Sequence, residues 1–276
     1  MALLVFPAAL LVFVLLVLPM AGLLRMSLNL YSPMEMMTAA LSGKNYIAAL
    51  TDPYYQEIIL TTVGVAFLCM TLCLLLSLAP AYWLARMQSR WKSMLIILTL
   101  FPLLVGNVVR AAGWMALLST HGAINAFLGM FGIGPLTLMY TPLAVVVGTT
   151  AVVLPYMILT LSSVVETVPR DTEEAAANLG ATPLKVFFRI LLPQAAPGVL
   201  AGSMLVFILS MNAYATPVLL GGPGFTMLAP AVYDQFMTAG NWPFGAALAF
   251  VLLATTLILT MAVSYGLSRS LKRRAG

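Results

Sequence analysis

Six stretches of this chain are apolar and long enough to cross a bilayer, and they constrain every other reading of it. A membrane-spanning helix needs about 20 predominantly apolar residues. Such stretches run over roughly 2–24, 58–85, 94–118, 141–165, 196–220 and 241–267. Five contain no charged side chain, and the third contains Arg110. Only 8% of the 276 residues are charged, where a soluble domain carries about 25%. There is too little polar surface to cover a water-soluble globule. The expected fold is therefore an all-α integral membrane protein of about six transmembrane helices, with residues 1–276 forming one transmembrane domain.

The charges fall into the intervening segments. Residues 86–93 hold Arg86, Arg90 and Lys92; residues 166–195 hold Arg170, Lys185 and Arg189; the tail holds Arg269, Lys272, Arg273 and Arg274. If six helices alternate, these three segments lie on one side, and they carry ten of the thirteen Lys and Arg. The positive-inside rule then places them, and both termini, in the cytoplasm. The net charge of +5 is thus a topology signal and not a nucleic-acid patch. The first stretch lacks a basic n-region and exceeds an h-region of about 7–15 residues, so it is read as a retained helix.

On the opposite side, residues 25–57 form the longest loop, with room for short interfacial helices. Residues 119–140 carry Gly122, Gly129, Gly132, Gly134 and Pro135 and read as a turn-rich hairpin. Cys69 and Cys73, four apart in an apolar stretch, share one helix face and read as packing residues. A metal site would need further ligands, and none is near.

The loop 166–195, ETVPRDTEEAAANLGATPLKVFFRILLPQA, is the most informative stretch. Asp171 with Glu174 three residues on has capping-box spacing. The helix Thr172–Leu179 should end at Gly180, where a left-handed residue is easiest for glycine. Thr182 and Pro183 restart a helix as N-cap and first helical residue, running to about Leu192. Pro193 and Pro197 then shape the return to the membrane. Ala175, Ala176 and Ala177 give the first helix a small surface that a partner backbone can approach closely.

Glu174, Ala175 and Ala176, then Gly180, Ile190, Leu192 and Pro193, fit the spacing of the EAA motif. In this respect the chain resembles the permeases of binding-protein-dependent ABC importers. The resemblance implies the type I importer permease fold and a coupling helix in this loop, seated in a cleft of a separate ATP-binding subunit. It implies that this chain is no enzyme and binds no cofactor, with ATP and Mg held by the partner ATPase. No GxxxxGK[ST] P-loop occurs in the sequence. The remaining partners implied are a second, different permease subunit, a periplasmic solute-binding protein and membrane lipid. The implied location is the bacterial inner membrane.

Further matches narrow the branch. Asn45-Tyr46, Asp52-Pro53, Val109-Arg110, Leu118-Ser119-Thr120, Gly122, Asn125 and the run Asn241–Ala247 resemble the spermidine/putrescine-type branch of these permeases. That implies import of a polyamine by alternating access. Relatives of the branch serve opines, aminoethylphosphonate, thiamine and ferric iron, so the solute stays open at this level. A secondary transporter or channel would need ion-coupling residues in the membrane, usually acids, and the six stretches contain no Asp or Glu.

Candidate residues along a translocation path are Asn107, Arg110 and Trp114 in the third stretch, Ser210, Asn212, Tyr214 and Thr216 in the fifth, and Asp234 just before the sixth. An ionisable group within a membrane segment is a functional hypothesis by default. Arg110 has two readings: a gate or solute-facing charge, or a structural arginine that snorkels or pairs with a loop acid. The polar groups of the fifth stretch either contact solute or hydrogen-bond between helices. Gly198 and Gly202 form a small-xxx-small pair that favours close helix packing. Trp114, Tyr140, Tyr156, Tyr214 and Trp242 are capable of cation–π contacts with an amine.

Overall fold

The computed structural model describes the backbone of residues 2–275 and the side chains of residues 6, 7 and 10–265. The basic tail Arg269, Lys272, Arg273 and Arg274 lies outside the described side chains. The chain begins with α1 (Ala2–Ser27), a hairpin of β1 (Leu30–Ser32) and β2 (Met36–Thr38), α2 (Lys44–Thr51) and α3 (Pro53–Arg86). Then follow α4 (Trp91–Leu104), α5 (Asn107–Leu118), α6 (Ala123–Gly129) and α7 (Pro142–Thr167). The loop region holds α8 (Arg170–Asn178), α9 (Pro183–Val186), a π-helical turn (Phe187–Leu191) and α10 (Leu192–Gln194). The chain closes with α11 (Ala196–Met211), α12 (Ala215–Gly221), α13 (Leu228–Met237) and α14 (Trp242–Ala275).

Among the described residues four helices are long and apolar enough to cross a membrane alone: Leu10–Ser27 of α1, α3, α7, and Trp242–Tyr265 of α14. The other two expected spans are broken. The stretch 94–118 is not one helix: α4 and the α5–α6 segment meet at 94°. Pro102 inside α4 removes a helical hydrogen bond and crowds the carbonyl four residues back. Val105 and Gly106 then take extended ψ values of 129° and 144°. The stretch 196–220 also breaks, after Met211, and resumes at Ala215. Pro217 is tolerated there because the first turn of α12 has no helical acceptor for its missing N–H. At its other end α11 meets the 183–194 segment at 74°.

The chain divides into two compact units. The first comprises residues 1–61 and 227–256. Its packing is fastened by motif residues: Asn45 Nδ2 donates to the carbonyls of Ser27 and Asn29, both at 2.8 Å, and the Tyr46 hydroxyl meets Ser27 Oγ at 2.6 Å. Asp52 ends α2, and its carboxylate accepts from the Tyr54 amide at 2.9 Å at the start of α3. Asn241 Oδ1 accepts from the Phe244 amide at 3.2 Å, an N-cap for α14. Phe244 packs on Tyr55, ring centres 4.9 Å apart, and the Tyr55 hydroxyl accepts from Gln235 at 3.2 Å. Loop 25–57 supplies the expected short helix, α2, and also a strand pair that was not expected. Its three-residue turn leads into Met36, the first residue of β2, at φ 59°, without the glycine or asparagine that usually announces such a turn.

The second unit comprises residues 62–226 and 257–276. Cys73, Ala81, Val153, Met157, Leu161 and Val206 form its core, where α3, α7 and α11 meet. Both cysteines are free and buried, and their thiols donate to the Val146 and Thr150 carbonyls at 3.6 Å each. The small-xxx-small expectation holds: a Cβ on Gly198 would overlap the Val164 side chain, and one on Gly202 would lie 2.8 Å from Met157 Sδ. Residues 119–140 contain the short helix α6 where only turns were expected. Asn125 closes that segment by donating to the Ser119 and Leu136 carbonyls and accepting from the Leu136 amide, all within 3.1 Å.

Candidate functional site

The loop 166–195 folds as a helix, a left-handed bend and a second, irregular helix. Nine residues of α8 end at Gly180, whose φ of +83° excludes most L side chains without strain. The Gly180 amide donates to Ala177 O at 2.9 Å and the Ala181 amide to Ala176 O at 3.1 Å. That pair is a Schellman C-cap, which satisfies carbonyls the helix leaves open.

The expected capping box is not formed. α8 starts two residues earlier, at Arg170 directly after Pro169, and no side chain caps it. Pro169, at φ −59° and ψ 134°, already sets the chain's entry into the helix. Asp171 and Glu173 in the first turn still complement the positive end of the helix dipole. Thr182 stands at the N-cap position of α9 with Pro183 after it, as expected, but its hydroxyl makes no capping bond. The second helix reaches Gln194 through a π-helical turn at 187–191, where the Leu192 amide donates to Phe187 O. The widened turn precedes Pro193, whose ring would otherwise crowd the Arg189 carbonyl.

The motif residues divide into inward and outward positions. Ala176 is buried; Glu174, Ala175, Gly180 and Pro193 are exposed; Ile190 and Leu192 are half-buried. Around the Gly180 bend three large apolar side chains face outward: Leu179 is 90% exposed, Leu184 72% and Phe188 55%. Leu179 ends the polar helix α8, whereas Leu184 and Phe188 belong to the apolar segment Pro183–Gln194 that leads into α11. Pattern reading missed them, because no periodicity of a helix this short separates a docking face from a buried one.

Also missed was the way the loop is held. Glu173 forms an ion pair with Arg86 at the end of α3, and its other oxygen accepts from the Tyr82 hydroxyl at 3.1 Å. Arg86 also donates to Val168 O at 3.0 Å, and Arg170 donates to Arg86 O at 2.6 Å. Lys92 Nζ lies 2.8 Å from Glu166 Oε1. These contacts bring segment 86–92 and loop 166–195 together, as alternation of the helices requires. Beneath them Ala85, Val165, Val168, Leu191 and Ala195 form an apolar cluster.

The candidate path residues are spread more widely. Asn107, Arg110 and Trp114 share one face of α5, since positions three and seven apart coincide on a helix. Arg110 donates to Val105 O at 3.1 Å, to Asn107 Oδ1 at 2.8 Å and weakly to Val152 O at 3.5 Å. It therefore braces the carbonyl left open at the α4–α5 break, and among the described residues it pairs with no acid. Ser210 is buried with an unpartnered hydroxyl. Asn212 ends α11 and donates to Ile208 O at 2.8 Å. Tyr214 is exposed at the break, and Thr216 is buried in α12, against which α5 packs. Asp234 is exposed on α13, in the other unit. Among the described residues no three His, Cys, Asp or Glu side chains converge on a metal position.

The fold is that of type I ABC importer permeases. A bacterial alginate ABC transporter, solved with an alginate pentasaccharide-bound periplasmic protein, has a chain of TM-score 0.76 and 14% identity, the likeness covering 98% of this chain and 94% of that one. A chain of the MetNI methionine ABC transporter gives TM-score 0.56 at 16% identity, over 81% of this chain and 99% of that one. Among sequences, the spermidine/putrescine transport system permease protein PotB of Escherichia coli K12 is 33% identical over 227 residues, 82% of each chain. The molybdenum transport system permease protein ModB of Mycobacterium bovis is 30% identical over 230 residues, 82% of this chain and 86% of that one. Residues 92–275 match the family described as binding-protein-dependent transport system inner membrane component. The chain belongs to that family. It is a multi-pass membrane protein and an ABC importer permease.

Proposed function

We propose that this permease moves a polyamine, spermidine or putrescine, from a periplasmic binding protein to the cytoplasm by alternating access. We further propose that loop 166–195 is the coupling element for a separate ATP-binding subunit. The observation that carries the second reading is the outward lip at Gly180. A capped nine-residue helix with a small alanine face, flanked by exposed Leu179, Leu184 and Phe188, is built to be covered by another protein. Glu174, Ala175, Ala176 and Gly180 would line that contact, while Ile190, Leu192 and Pro193 would shape the return to the membrane. ATP and Mg belong to the partner, and a second permease completes the pore.

The solute reading is supported by the 33% identity to permeases named for spermidine and putrescine over 82% of their length. The 30% identity to a molybdenum permease shows that likeness at this level bears on the engine more than on the cargo. The path would run past Asn107, Arg110, Trp114, Ser210, Asn212, Tyr214, Thr216 and Asp234. The positive-inside rule supports placing segments 86–93 and 166–195, and both termini, in the cytoplasm.

The test is purification of the intact complex and its reconstitution with the cognate binding protein. An ATP-hydrolysing chain should accompany the permease, and labelled spermidine should enter vesicles only with ATP and the binding protein. Uptake that needs no ATP-hydrolysing partner would contradict the coupling reading. Uptake of another solute alone, with spermidine ignored, would overturn the cargo and leave the engine intact.

A further inference from the structure

We infer that the Arg86–Glu173 pair, with Tyr82, is the positioning link that makes α8 and the end of α3 move as one body. The inference rests on the coupling role proposed for this loop. Two adjacent glutamates in α8 have different surroundings. Glu174 is exposed. The side chains of Glu173 and Arg86 are each only 14% exposed, and both Glu173 oxygens are engaged, one by Arg86 and one by Tyr82.

The link works in both directions. Arg86 reaches from α3 to Glu173 in α8 and to Val168 O, the carbonyl just beyond α7. Arg170 reaches back from α8 to Arg86 O at the end of α3. The end of α3, the residue after α7 and the first turn of α8 are thereby joined through charged hydrogen bonds, which are shorter and stronger than neutral ones. By contrast Lys92–Glu166 is 29% and 42% exposed, and exposed pairs of this kind contribute little.

α8 needs such a link. A nine-residue helix is marginal by itself, and Ala176 is its one buried residue. Held only by its ends, it would absorb a push from a partner instead of passing it on. Coupling over a distance is carried by packed side chains and by hydrogen-bond and ion-pair networks, and the sheltered Arg86–Glu173 pair supplies such a connection between α8 and α3. Arg86 Nε is buried without a hydrogen-bond partner. Removing one partner of such a sheltered pair leaves an uncompensated charge behind.

The test uses the assembled complex with its ATPase chain and its loaded binding protein in proteoliposomes. The readout is ATPase activity with binding protein divided by basal activity. Glu173→Gln and Arg86→Gln should keep membrane insertion and basal ATPase, while the ratio falls about tenfold, the scale of a typical coupling energy. The exchange Arg86→Glu with Glu173→Arg should recover more than half of the wild-type ratio. Tyr82→Phe, which removes one hydroxyl, should give an intermediate loss and covers the case where the exchange does not fold. An unchanged ratio in Glu173→Gln, Arg86→Gln and Tyr82→Phe would overturn the link. So would loss of the ATPase chain from the single variants with Tyr82→Phe fully coupled, because that is a role in folding alone. A wild-type complex with no stimulation by binding protein would overturn the importer reading, and the link with it.

Discussion

Gly198 of α11 sits against the isopropyl group of Val164 in α7, so close that a Cβ on Gly198 would occupy the same space. Membrane helices lack a hydrophobic drive to associate and depend on such close backbone approach. Gly198→Ala should destabilise the detergent-purified protein by about 1–3 kcal/mol, the cost of overpacking a tight contact. Val164→Ala in the same chain should restore most of it. Thermal unfolding of the two single variants and the double variant gives the answer: additive losses would mean that the two residues are not the packing pair described.

Arg110 is expected to be a brace first. Replacing it with leucine leaves the Val105 carbonyl and Asn107 without their charged donor, at a cost of about 1.5–3 kcal/mol. Arg110→Lys should retain part of this. The melting temperature should therefore fall in the order wild type, lysine, leucine. A variant of unchanged stability but altered apparent affinity in uptake would instead mark Arg110 as a solute-facing charge.

At the bend, the side chain matters less than the backbone. Nothing lies near a Cβ built on Gly180, but its φ is +83°, so Gly180→Ala should cost only about 1–2 kcal/mol of local strain. Gly180→Pro fixes φ near −65° and removes the N–H that bonds Ala177 O, which dismantles the C-cap. Uptake should fall modestly in the first variant and be abolished in the second. Immunoblots should show equal amounts of both in the membrane. Ala176→Phe, at a buried position, should behave like Gly180→Pro.

The outward lip should set affinity for the ATPase chain. Burying one leucine fully stabilises a contact by about 2 kcal/mol, or about thirtyfold in affinity. Leu179→Ser and Leu184→Ser should each weaken retention of the ATPase chain during purification, and the double variant should lose it. Unchanged retention in the double variant would show that these side chains are not covered in the complex.

Much of the fold is legible in the amino acids because lipid imposes a coarse rule: twenty apolar residues make a span. α1, α3, α7 and α14 follow it. The two broken spans obey it in composition and defeat it in geometry. Pro102 with Gly106, and Pro217, are unremarkable in a membrane helix, and nothing local says that a nearby arginine will hold the open carbonyl. The C-cap at Gly180 was legible because one residue type satisfies that backbone conformation. The capping box was not, because the spacing of Asp171 and Glu174 says nothing about Pro169 starting the helix early. The link at Glu173 joins residues 87 positions apart, and a single sequence carries no signal for such a pair. Motif residues such as Asn45, Asn125 and Asn241 turn out to fasten loops, a role that residue type alone suggests only weakly.

Loop 166–195 is proposed as the surface that a separate ATP-hydrolysing chain covers. It is tested most directly by a photo-crosslinking amino acid at Leu179, 90% exposed, with Met34, 97% exposed on the β1–β2 turn, as the control position. Illumination of intact cells should join the Leu179 variant to a nucleotide-binding chain and leave the Met34 variant free of that adduct. No such adduct at Leu179, or the same adduct at Met34, would rule out this loop as the ATPase-facing surface.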